Sequence, residues 1–163
     1  MMLLRIIAIF LCTGLVSIQA ADSVSQTTIG KDSSLSAGAQ ALRAGDFETG
    51  LDLTLGGLNS PLSPRKRASA LSNVCAGYLG TRQFSEALEA CDKALALNDQ
   101  NWRVYNNRAL ALLGVGRIAD ARVDLEKGLT LNPDALTLAK VARLIAEQMR
   151  ERVMTAGLTG EDR

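Results

Sequence analysis

The chain has 163 residues, with 18 basic and 17 acidic side chains and no histidine. That length suits a single domain, and the lack of imidazole excludes Ser/His and Cys/His nucleophile systems as well as the commonest metal ligand. The near-neutral charge excludes the strong basic field that gathers nucleic acid or anionic lipid.

Hydrophobic residues make up 47% of the chain but aromatics only 4%, so the apolar content is mostly Ala and Leu and favours helix packed on helix. In chain order, an apolar run from Leu3 to Ile18 carries one early cation, Arg5, and ends at Gln19-Ala20-Ala21 before Asp22. This layout is that of a secretory signal peptide over 1–20, too short and too weakly flanked for a spanning helix, and cleavage is expected after Ala20. Losing Arg5 with it leaves 17 charges of each sign. Residues 21–34 are Ser, Thr, Gln, Gly and Asp with few large apolar side chains, and are expected to be a flexible linker.

Beyond the linker the chain repeats. A shift of 34 residues pairs Leu71 with Tyr105, Asn73 with Asn107, Tyr78 with Leu112, Gly80 with Gly114, Phe84 with Ile118, Ala87 with Ala121 and Asn98 with Asn132. Within 71–79 and 87–97 the apolar residues recur at helical intervals, with a break between Thr81 and Ser85, so each unit is a helix hairpin. Antiparallel helices oppose positions of constant total number, which sets Leu71 against Ala94, Tyr78 against Ala87 and Cys75 against Cys91. Small residues in each pair allow close approach. Gly45-Asp46-Phe47 aligns an earlier, weaker unit, with three extra residues within Pro61–Arg67 before the second unit. Glycines 50, 56 and 57 make it the least stable, at about 1 kcal/mol each relative to Ala. After Pro133, Leu138, Val141, Ala142, Ile145, Met149 and Val153 share one helical face, expected to form a capping helix over 136–153, with a disordered tail over 154–163.

The remaining signals have plain readings. Arg65-Lys66-Arg67 is expected to be a solvated loop and helix start, and Asp46, Glu86, Glu89 and Glu126 have neither metal-cage nor acid–base spacing. No catalytic residue, metal or cofactor is therefore assigned. Cys75 and Cys91 are the only cysteines after the leader and fall at facing positions, either as a disulfide in an oxidising compartment or as two small core residues.

Tyr105, Ala109, Leu112, Ile118, Ala121, Leu125, Gly128 and Pro133 resemble the tetratricopeptide repeat signature. The unit over 68–101 is similar through Leu71, Cys75, Tyr78, Phe84, Ala87, Cys91 and Ala94, and departs at Asp99, where the family commonly has Pro. The resemblance implies an all-α, right-handed superhelical stack of three hairpins (about 31–64, 68–101 and 102–135) plus the capping helix, within a domain over 35–153. It also implies a concave groove for a protein or peptide, and hence a non-catalytic scaffold, expected in the bacterial periplasm, with no nucleic acid partner and no membrane contact after signal removal. An envelope hydrolase with a different carboxylate site, or a purely structural self-assembling spacer, are the alternatives. The residues expected to face the groove are Ser69, Ser72, Asn73, Arg103, Asn106 and Asn107, because they stand beside the buried face of their helices. In peptide-binding members an Asn at the position of Asn73 and Asn107 holds the ligand backbone, and Arg103 is suited to a ligand carboxylate. The carboxylate clamp of some members is not reproduced, because Leu35, Ala39 and Asn107 stand where its polar and cationic residues would be.

Overall fold

The computed structural model describes residues 31–159, which form α1 (Lys31–Ala44), α2 (Phe47–Leu58), α3 (Pro64–Gly80), α4 (Phe84–Leu97), α5 (Trp102–Gly114), α6 (Ile118–Leu131) and α7 (Leu136–Thr159). The expected signal peptide and the linker as far as residue 30 lie outside the described residues. Three expected boundaries are corrected. The linker ends earlier, because residues 31–34 already form the opening turn of α1, propagated from the packed residues that follow. The second unit starts at Pro64 rather than 68. Helix α7 runs through 154–159, where a disordered tail was expected, with the Thr155 hydroxyl donating to the Glu151 and Arg152 carbonyls.

Each hairpin turns on the same backbone device. Gly45, Arg82 and Gly116 have φ of 84°, 61° and 76°, the left-handed conformation that ends a helix. The next amide in each case, on Asp46, Gln83 or Arg117, donates to Ala41, Tyr78 or Leu112 across the helix end. Arg82 is the position where a side chain tolerates a conformation suited to glycine.

Within a hairpin, small residues form the seam. Cys75, Ala87, Cys91 and Ala94 are buried in the second unit, and Ala109, Ala121, Leu125 and Gly128 in the third. Between hairpins, a ring fills the space over a glycine. A Cβ on Gly80 would run into the Phe47 ring, and one on Gly114 into the Phe84 ring, so the inter-repeat spacing depends on glycine there. At the third junction Ile118 meets α7 instead, and an apolar cavity of about 320 Å³ opens between Ile118, Ala119, Met149 and Val153.

Contacts between non-consecutive helices set the curvature. Helices α1, α3, α5 and α7 touch one another in turn, whereas α2, α4 and α6 do not. The odd-numbered helices therefore crowd the inner side of the arc and the even-numbered ones spread along the outer side, so the concave face is built from α1, α3, α5 and α7.

Candidate functional site

Helix α3 is the longest wall of this concave face among the three hairpins. It has 17 residues against 13 in α5, because the three extra residues of the second unit add a helical turn at its start. Pro64 occupies the first turn, where its missing N–H costs nothing, and Ser63 caps the helix by accepting from the Lys66 amide at 3.4 Å. Arg65 to Arg67, expected to be a loop and helix start, all lie within the first turn of the helix.

On this wall Arg65, Ser69 and Asn73 recur every four residues and share one helical face. All three line an open cavity of about 590 Å³, closed on the other side by Leu35 and Ser36 of α1. The inner-helix reading from sequence therefore places Ser69 and Asn73 together, and the structure adds Leu35, Ser36, Ser63, Arg65, Lys66 and Ala70 around them. The signal for this addition was the three-residue insertion, which lengthens a helix rather than a loop.

The other expected groove residues sit outside that cavity. Arg103 is exposed near the start of α5, its guanidinium 4.4 Å from the centre of the Trp102 ring. Ser72 and Asn107 are half-buried. Asn106, expected to face the groove, is instead buried: its Nδ2 donates to Asn107 Oδ1 at 3.2 Å, and its own Oδ1 has no partner among the described residues. An unpaired buried acceptor of this kind costs on the order of 1–3 kcal/mol.

A polar cluster on the opposite side of α5 was not anticipated from sequence. Arg108 donates from Nε and Nη2 to both oxygens of Asp124, at 2.8 and 2.7 Å, and from Nη1 to Asp92 Oδ1 at 2.6 Å. It ties α5 to the outer helices α4 and α6. Hydrogen bonding to Asp124, opposed by burial and reinforced by Asp92, raises the Arg108 guanidinium further above its ordinary range, so it stays charged. Burial, with the Asp99 charge second, pushes the neighbouring Tyr105 phenol up from its usual value. The signal in the sequence was Asp124, a charge lodged between the seam residues Ala121 and Leu125.

Joining Cys75 to Cys91, a disulfide crosses the α3–α4 seam with its Cα atoms 5.1 Å apart and both residues fully buried. This is the pairing that the facing positions admitted.

No protein-family model matches the chain. Mouse tetratricopeptide repeat protein 28 is 35% identical over 100 residues, which is 61% of this chain and 4% of that protein. Human sperm-associated antigen 1 is 34% identical over 84 residues, 49% of this chain and 9% of that protein. The chain spans less than a tenth of the length of either. Among solved structures, the first tetratricopeptide domain of Spaghetti (RPAP3), bound to the HSP90 peptide SRMEEVD, superposes with a TM-score of 0.64 at 20% identity, over 74% of this chain and 95% of that one. A tetratricopeptide-like protein of Chlorobium tepidum gives 0.65 at 19%, over 76% and 94%. The yeast HSP90 co-chaperone Cns1 gives 0.71 at 18%, over 78% and 41%. The chain shares their architecture, an all-α right-handed superhelical stack of helix hairpins. In sequence it is similar, over part of its length, to tetratricopeptide repeat proteins, and in fold to tetratricopeptide repeat domains.

Proposed function

We propose that this protein is a non-catalytic scaffold of the bacterial periplasm that holds a peptide segment of a partner protein in the groove formed by α1, α3 and α5. The observation that carries the reading is the row of Ser69 and Asn73 on a cavity of the concave face, with Asn107 repeating the Asn73 position one helix along. An amide offers a donor and an acceptor, which is what an extended backbone needs. The structural neighbour bound to SRMEEVD supports a peptide as the occupant. The one buried carboxylate among the described residues, Asp124, is tied to Arg108, which favours a structural role for it over a catalytic one.

Export rests on the amino-terminal apolar run, and the buried Cys75–Cys91 disulfide suits an oxidising compartment. The mature protein is expected to lack residues 1–20 by mass, and a full-length species held in the inner membrane overturns that part. For the groove, the double variant Asn73→Ala/Asn107→Ala is expected to keep its helical circular dichroism. It should recover at least about tenfold less crosslinked partner from an envelope extract, the effect of losing two hydrogen bonds of about 1 kcal/mol each. Unchanged capture by the folded variant removes the groove assignment.

A further inference from the structure

Charge is divided between the two faces of the arc, although the chain as a whole is nearly neutral. The two central inner helices, α3 and α5, carry five cations and no carboxylate. The outer helices α2, α4 and α6 carry eight carboxylates and three cations. Arg108 faces outward into the acidic side and is neutralised there by Asp92 and Asp124. Arg65 and Arg103 form no ion pair among the described residues. Arg65 stands one turn before Ser69 on the cavity wall, and Arg103 holds in α5 the place that Ser69 holds in α3. The two cations thus lie on the same face of neighbouring inner helices.

We propose that the occupant of the groove is an extended acidic segment, internal to its chain, with two Asp or Glu side chains read by Arg65 and Arg103. This rests on the groove reading above. Neighbouring helix axes lie about 8–10 Å apart, and an extended chain rises about 3.3 Å per residue, so carboxylates two to four residues apart reach both guanidiniums. The acidic outer face repels the same segment, which confines it to the concave side. The segment is taken as internal because the position at which the resemblance puts the cation for a terminal carboxylate holds Asn107, an amide.

The test uses the purified full chain and a panel of labelled peptides, acetylated and amidated, of about twelve residues. In an Ala, Ser and Leu background they carry two Glu about three residues apart, two Gln, or two Lys. The Glu peptide is expected to bind at least about tenfold more tightly than the Gln peptide, with an advantage that shrinks as salt rises. Arg65→Gln/Arg103→Gln is expected to bring the Glu and Gln peptides to the same affinity, so that the ratio between them falls to about one. Equal binding of Glu and Gln peptides, or preference for Lys, overturns the acidic occupant and leaves the groove standing if Asn73→Ala/Asn107→Ala still weakens the Gln peptide. Binding that appears only when the peptide ends in a free carboxylate overturns the internal segment. Failure of every peptide to bind overturns the groove reading and the proposal with it.

Discussion

Single residues separate two kinds of glycine in this chain. Gly56 lies in α2 with open space where a side chain would stand, whereas Gly80 lies under the Phe47 ring. Gly56→Ala is therefore expected to stabilise the protein by about 0.5–1 kcal/mol, through a less flexible unfolded chain and better helix propensity. Gly80→Ala is expected to cost about 1–3 kcal/mol, because the ring or the backbone must move. Urea midpoints of the two variants check both signs. A second contrast concerns Arg108. Asp124, with its side chain 4% exposed, accepts two of its hydrogen bonds, and Asp92, 63% exposed, accepts one. Asp124→Ala leaves a guanidinium that is only 25% exposed without its main partner and is expected to cost about 2–3 kcal/mol. Asp92→Ala is expected to cost less than about 1 kcal/mol. Equal losses in thermal unfolding would show that the two acids share the charge evenly.

At the scale of elements, the hairpins were legible in the sequence because their seam is written in small residues at fixed totals of position, and the Cα atoms of Cys75 and Cys91 at 5.1 Å are the direct outcome. Reducing that bond is expected to lower stability by about 3 kcal/mol in the chain-entropy account, read as a shift in the denaturant midpoint with and without reductant. An unchanged midpoint would mean that the two sulfurs contribute only as packed core. What the sequence concealed was where a stripe stops being covered. Ile145 is buried in α7, but Met149 is 46% and Val153 72% exposed, because periodicity describes a helix's own face and is silent on how far its neighbour extends. The groove residues show the same limit. Ser69 and Asn73 were legible as one face of α3, yet the burial of Asn106 beside Asn107 comes from how the helices pack, which no local pattern encodes. The three cations of 65–67 read as a loop and helix start, and the helix takes in all three because the insertion lengthened α3 rather than the connection.

Taken whole, the stack has two apolar centres, one around the third hairpin and α7, the other around the second hairpin with Leu51 and Val104. From the first hairpin these clusters draw on Leu51 alone among their buried residues, with Leu58 half-buried against them. In a linear array each unit depends on its neighbours alone, so amides of α1 and α2 are expected to exchange with solvent sooner than those of α3 to α6, as amide hydrogen exchange by mass spectrometry reports. Exchange at one common rate would mean a single cooperative unit. The staple also has a mechanical consequence, because it lies within one hairpin and not between two. Stretched between its termini, the oxidised chain transmits force through the sulfurs and bypasses the stretch between Cys75 and Cys91, which are 16 positions apart. Its fully extended contour is then shorter than that of the reduced chain by roughly 50 Å. In an optical trap the flanking hairpins can pull out in the oxidised protein, while the middle one yields only the length outside its loop.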